Sequence, residues 1–200
     1  MSQNGAMPDR STTPGLRERK KMRTRETIRR EAFRLFDAQG FGATTVEQIA
    51  EASDISASTF FRYFPNKAAL LIPNQLLNPI VDTFLAAPSE LSPIGAYRFA
   101  LAQVFGQFGG SDWSEEAARQ ALMYSLPEAA GALYLGYIET IEVITGALAT
   151  RLSQSPDDPR LRITAGAITG VLMQSLHGAP MDPAPLLTAL DFLDAGLPLT

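Results

Sequence analysis

The sequence predicts an all-α protein, with a small N-terminal unit built around a helix-turn-helix and a larger helical bundle behind it. Three observations carry this reading. Apolar residues recur at spacings of three and four, and no segment alternates convincingly at period two. Capping residues and breakers punctuate those stripes at helical lengths. The charge also divides the chain: residues 1–67 hold twelve Lys or Arg against eight Asp or Glu, and residues 68–200 hold five against thirteen. Such asymmetry suggests a polyanion-binding end joined to a body with another task.

Residues 1–16 are rich in Ser, Thr, Pro and Gly and read as a disordered arm. A long helix is predicted over 16–39, with Ile28, Ala32, Leu35 and Phe36 as its apolar stripe. The stripe starts late, so the basic cluster Arg17, Arg19, Lys20, Lys21, Arg23 and Arg25 overhangs the core and is free to meet an anion. Gly40 ends this helix, where positive φ is wanted. Thr44 and Glu47 read as the N-cap and N3 of a capping box, opening a short helix over 45–52 that buries Val46, Ile49 and Ala50. Ser53, Asp54 and Ile55 form the turn, and Asp54 is one of the few residue types that tolerate the left-handed region. Ser56 caps the next short helix, over 57–64. Two short helices joined by a three-residue turn match the helix-turn-helix pattern. Pro65 stops the second of them, and Asn66 is expected to cap a fourth helix.

The string Thr44-Thr45-Val46-Glu47-Gln48-Ile49-Ala50-Glu51-Ala52, then Ser56 through Thr59, then Phe60-Phe61-Arg62-Tyr63-Phe64-Pro65-Asn66-Lys67 resembles the signature of the TetR family of bacterial regulators. The match runs without gaps over about a quarter of the chain, from Arg25 to Leu70. The resemblance implies a helix-turn-helix DNA-binding domain over 17–70 and a ligand-binding and dimerisation domain over 71–200. It further implies a homodimer on a partly palindromic double-stranded operator, repressing in the usual family mode and responding to a small-molecule effector. In a helix-turn-helix the second helix enters the major groove and offers its N-terminal residues to base edges. Here these are Ala57, Ser58 and Thr59, with Arg62 and Tyr63 one turn on. The methyl groups of Ala57 and Thr59 suit thymine, Ser58 can bond several bases, and Arg62 suits a guanine or a phosphate. Thr45 and Lys67 are expected near helix N-termini as phosphate contacts. Arg25, Thr44, Ser56 and Phe61 complete the expected DNA-facing set. Phe61 replaces the tyrosine usual in the family and has no hydroxyl to donate. Ala57 and Ser58 stand where Lys and Gly are common, so one phosphate cation is missing, and the arginines of the first helix are placed to compensate.

Beyond residue 66, helices are predicted over 66–86 (interrupted near Pro73 and Pro79), 93–108, 114–126, 128–152, 159–177 and 183–195, with 153–159 as the clearest loop. Leu161, Ala165, Ile168, Leu172 and Leu176 form one stripe, and Leu186, Leu190 and Leu193 another. Gly166 and Gly170 leave a small-residue groove between turns. In the family the last two helices pair with their twins in a four-helix interface. That implies dimer contacts at Leu161, Ala165, Gly166, Ile168, Gly170, Leu172, Leu186, Leu190 and Leu193. The alternative is that these stripes close the monomer's own core. Apolar pockets between bundle helices hold small molecules. The aromatic-rich middle helices therefore offer Tyr97, Phe105, Trp113, Met123, Tyr134 and Tyr137 as pocket lining, although each is also explained by core packing. Arg98 and Arg119 are candidate anchors for an anionic ligand. The segment 189–197 faintly resembles family members that bind acyl-CoA-like ligands, so the implied effector is small and hydrophobic or of acyl type.

Other classes find little support. With no cysteine there is no disulfide, thiolate metal site or cysteine nucleophile. No apolar run approaches the roughly 18 uncharged residues of a membrane span. The basic N-terminus runs into Glu18, Glu26 and Glu31 rather than an apolar export signal, so the expected location is the cytoplasm. There is one histidine, His177, and no Gly-x-Ser-x-Gly elbow, phosphate-cradling glycine loop or cluster of metal ligands. The pairs Glu115-Glu116 and Asp157-Asp158 lie at helix starts, where carboxylates favour the helix dipole. Neither catalysis, a cofactor nor a metal is expected. The remaining alternative is a constitutive DNA-binding regulator without an effector.

Overall fold

The computed structural model describes residues 16–72, 76–107, 110–177 and 182–199. The arm expected over 1–16 lies outside them apart from Leu16. Among the described residues the chain is all helical, as expected: α1 (Leu16–Gln39), α2 (Val46–Ala52), α3 (Ala57–Tyr63), a 3-10 turn (Ala68–Leu71), α4 (Leu77–Ala86), α5 (Pro93–Phe105), α6 (Gly110–Ser125), α7 (Ala129–Leu152), α8 (Pro159–Leu176) and α9 (Pro183–Asp194). Two compact units divide it, Met1–Lys67 and Ala68–Thr200.

In the first unit α1 turns Ile28, Ala32 and Phe36 into the core and leaves Lys20, Lys21 and Arg23 exposed. Gly40, at φ +84°, ends the helix and donates its N–H to the Phe36 carbonyl at 2.8 Å. The capping box that opens α2 sits one residue later than the sequence suggested. Thr45 is the N-cap: its hydroxyl accepts from the Gln48 N–H at 3.2 Å, while the Gln48 side-chain carbonyl accepts from the Thr45 N–H at 2.9 Å. Thr44 is buried instead and donates its hydroxyl to the Gly40 carbonyl at 2.8 Å. Asp54 occupies the left-handed region, at φ +55°. α3 stops at Tyr63, with Phe64 extended as a residue before proline must be.

The helix expected over 66–86 is not continuous. The chain makes the 3-10 turn, burying Ala68, Leu70 and Leu71, and α4 starts only at Leu77. Pro73 lies outside the described residues. Pro79 falls in the first turn of α4, where a missing N–H breaks no helical hydrogen bond.

In the second unit α7 packs on α8 and α4, α5 on α4 and α9, and α8 on α9. Phe84, Tyr97, Leu101, Ile144, Leu148, Ile168, Leu186 and Leu190 are core residues. Arg151 ties the end of α4: its guanidinium donates to the carbonyls of Phe84 (3.2 Å), Ala87 (2.9 Å) and Pro88 (2.5 Å), which lack partners within the helix. Ser92 caps α5, accepting from the Gly95 N–H at 2.9 Å, and donates its hydroxyl to the Asp194 carboxylate at the end of α9. A Cβ on Gly95 would stand 3.0 Å from that hydroxyl, so the closeness of this corner requires glycine. Contrary to the reading of short apolar runs, α7 is long and apolar enough to cross a membrane by length and composition alone. It carries Glu139 and Glu142, and its Ile144, Ala147, Leu148 and Ala149 pack into the bundle core.

Candidate nucleic-acid interface and effector cavity

The helix-turn-helix is held by partners on both sides of α3. Phe60 and Phe64 point inward and are almost completely buried, which leaves Ser58, Phe61 and Arg62 exposed on the opposite face beside half-buried Ala57. Spacings of three and four put these four residues on one surface. At the start of α3 the Ser56 hydroxyl accepts from the Thr59 N–H at 3.1 Å and donates to the Thr59 hydroxyl at 3.0 Å. Its single hydrogen is then used, so Ser58, 2.9 Å away, is the donor in the Ser56–Ser58 pair. Arg62 lies over the Tyr63 ring at 5.3 Å, and Arg25 over Phe64 at 4.8 Å.

Two residues read as DNA contacts are placed differently. The Thr44 side chain is sealed from solvent, so it supports the loop before α2 and offers no surface. Lys67 stands ahead of a 3-10 turn, not at an α-helix N-terminus. Its ammonium donates to the carbonyls of Phe41 (2.5 Å) and Thr44 (2.7 Å) and lies 4.2 Å from the centre of the Phe41 ring. Gln39 adds a further tie, donating to the Gln48 side chain at 2.9 Å and to the Thr44 hydroxyl at 3.2 Å. This network fixes α2 against the end of α1. Gln39 and Gln48 passed unread because glutamines on short helices look solvated.

The second unit contains a cavity of about 140 Å³. Of the residues proposed as lining, Tyr97, Phe105, Met123 and Tyr137 border it. Tyr134 does not: it is 65% exposed on the outer face of α7. The side chain of Trp113 lies outside the described residues. Gln120, Tyr124 and Thr140 border the cavity too. The first two share the spacing 120, 123, 124 with Met123, a helical stripe that would have found them. The hydroxyls of Tyr124 and Tyr137 are 3.1 Å apart, and Thr140 donates to the Gly136 carbonyl at 2.8 Å. Burial, and after it the bond with Tyr137, pushes the Tyr124 phenol up; burial alone does so at Tyr97. Arg98 and Arg119 do not border the cavity, and Arg98 faces Asp191 at 2.6 Å.

The dimer residues need the largest correction. Leu161, Ala165, Ile168, Leu186 and Leu190 are buried in the protomer's own core, with Leu172 and Leu193 packed against it. A second copy cannot reach them. Gly166 and Gly170 keep an outward position, where an added Cβ would meet nothing within 4 Å. With Ile163, 71% exposed, and Met173, 41% exposed, they form a different stripe along α8. Its positions 163, 166, 170 and 173 follow heptad spacing.

Comparison with known proteins agrees with this architecture. Residues 28–72 match the family model described as bacterial regulatory proteins, tetR family, and residues 91–198 match that of the MftR C-terminal domain, more than half of the chain. The chain is similar to the HTH-type transcriptional regulator TcmR of Streptomyces glaucescens, 39% identical over 145 residues covering 68% of this chain and 62% of TcmR. It thus spans less than two thirds of that relative's length. In fold it is similar to AlkX, a TetR family repressor of Dietzia sp. strain DQ12-45-1b (TM-score 0.54, 18% identity, 85% of this chain and 94% of AlkX). It is likewise similar to Thermus thermophilus FadR, solved with lauroyl-CoA (TM-score 0.52, 22% identity, 88% of this chain and 96% of FadR).

Proposed function

This chain belongs to the TetR family of bacterial transcriptional regulators, and from that premise we propose that it is a sequence-specific DNA-binding repressor released from its operator by a small hydrophobic or acyl-type ligand. The observation that carries the reading is the outward face of α3, where Ala57, Ser58, Phe61 and Arg62 stand clear of the core on a helix anchored by Phe60 and Phe64. Such a face suits major-groove entry, with Ser58, Thr59 and Arg62 reading base edges and the exposed Thr45 hydroxyl meeting a phosphate. Arg25, Ser56 and Tyr63 flank this surface and contribute to placing the backbone. Lys20, Lys21 and Arg23 of α1 supply the electrostatic attraction. Lys67 acts in this reading as the staple of the loop before α2. The protein works in the cytoplasm as a homodimer, joined through the Ile163–Met173 face of α8 and not through the buried leucines. A two-fold dimer lets a short recognition helix read two half-sites.

The cavity in the second unit is the effector site of this proposal, and it is covalently close to the first. Lys67 holds the loop before α2, and Leu71, four residues later, borders the cavity. Duplex selection from a random pool tests the reading side: Ser58→Ala and Arg62→Ala should each change which bases are selected, not merely weaken binding. Equal losses on selected and random duplexes would refute the placement of α3. Operator titration with and without a bound effector tests the release: coupling of about 1–3 kcal/mol lowers operator affinity roughly 5–150-fold. An effector that binds and leaves operator affinity unchanged would make the protein a constitutive regulator toward that molecule.

A further inference from the structure

We propose that the cavity takes an uncharged, largely apolar molecule of about one ring that donates an O–H or N–H to the side-chain carbonyl of Gln120. A phenol, alcohol or amide meets that description, whereas a carboxylate or phosphate ester does not. The inference rests on reading the cavity as the effector site and narrows what that site accepts.

The first argument is charge. None of the residues bordering the cavity carries a formal charge. An anion would leave water without meeting a cation, a penalty that buried ions escape only through good pairing. The two arginines best placed by sequence to supply one, Arg98 and Arg119, are not part of the wall.

The second argument is an unmatched acceptor. Gln120 is 7% exposed, and its amide N–H donates to the Leu176 carbonyl, which fixes which end of the amide is which. Its carbonyl oxygen, Oε1, is buried, and no donor of the chain reaches it among the described residues. Buried polar atoms without partners are rare, and each calls for an explanation. A ligand donor supplies one.

The remaining polar groups fit the same molecule. Thr140 is already committed to the Gly136 carbonyl. Tyr124 and Tyr137 share a single hydrogen bond between two hydroxyls, so one O–H stays available to an outside acceptor. Burial pushes the Tyr124 phenol up and keeps it protonated as a donor. The wall therefore offers one acceptor and one donor in an otherwise apolar enclosure, and a ligand hydroxyl can satisfy both. At about 140 Å³ the cavity is close in size to an engineered apolar cavity of about 150 Å³ that holds benzene.

The test is calorimetric titration of the full chain with three probes of one shape: 4-propylphenol, 4-propylanisole and 4-propylbenzoate. The Met123 methyl resonance reports whether each probe enters the cavity that Met123 borders. The phenol should bind about tenfold more tightly than the ether, the worth of one net hydrogen bond, and the benzoate more weakly than either. Gln120→Leu should abolish the preference for the phenol and leave the ether's affinity in place. Equal affinity of phenol and ether, or tighter binding of the benzoate, overturns the inference. If Met123 still responds in that case, the cavity remains a binding site. No response to any probe overturns both the inference and the effector-site reading. Should Gln120→Leu fail to fold, the comparison of the three probes on the unmodified chain decides alone.

Discussion

Replacing Lys67 by methionine separates two roles that a lysine beside a helix-turn-helix can play. Its ammonium makes two charge-assisted hydrogen bonds, to the carbonyls of Phe41 and Thr44 at 2.5 and 2.7 Å, and a cation–π contact with Phe41 at 4.2 Å. Hydrogen bonds of a charged group contribute about 1.5–3 kcal/mol each, and an exposed cation–π contact about 0.5–1 kcal/mol. The site is only half-buried, so solvent screens part of this, and a net loss of about 2 kcal/mol is expected. That corresponds to roughly a 30-fold change in a local opening equilibrium. Hydrogen exchange at the Gln48 and Ile49 amides, which bond to Thr45, should speed up by about that factor in Lys67→Met. Operator affinity should fall on every sequence while the slope of log affinity against log salt stays the same. If exchange is unaltered and the salt slope drops by about one unit per lost contact, the ammonium works on DNA phosphate and the staple reading fails.

Three further outcomes follow from particular residues. Ile163→Glu should split the dimer, because burying Ile163 contributes about 1.5–3 kcal/mol on each subunit; sedimentation should show a dissociation constant raised more than about a hundredfold, and an unchanged dimer would move the interface elsewhere. Asp54→Gly relieves a left-handed residue costing about 1–2 kcal/mol and adds chain entropy costing about 0.4–1 kcal/mol, so urea unfolding should show a gain of up to about 1 kcal/mol with base preference unchanged; a loss of stability would count against the turn geometry. Asp158, the N-cap of α8, is held at about 2 by the Arg160 guanidinium and then by the Arg160 N–H. A folded value below the ordinary 3.8 adds stability above that pH and loses it as pH falls through about 2. The stability gap between the wild type and Asp158→Asn should therefore be present at pH 6 and close on approach to pH 2, and a constant gap would contradict it.

Local chemistry made the first unit legible. Gly40 and the late apolar stripe set the limits of α1, and Ser56 and Asp54 set those of the turn and α3. The capping box was misplaced because Thr44 with Glu47 and Thr45 with Gln48 both fit its pattern; burial of Thr44, a tertiary effect, decides between them. In α8, periodicity revealed an apolar stripe but not what covers it. Leu161, Ala165 and Ile168 face the protomer's own core, while Ile163, Gly166, Gly170 and Met173 run along the outside. The aromatic content of the middle helices pointed to Tyr97, Phe105, Met123 and Tyr137. Gln120 stayed hidden beside Arg119 because its partner, the Leu176 carbonyl, lies 56 residues away.

The most direct measurement of the central claim is a hydroxyl-radical footprint of the full chain on the tightest duplex selected from a random pool. The account predicts two protected half-sites in a partly palindromic sequence, with centres about one helical turn, roughly 34–36 Å, apart. It also predicts that Arg62→Ala changes the selected sequence. Full affinity for one isolated half-site, or no duplex enriched over random DNA, would contradict it.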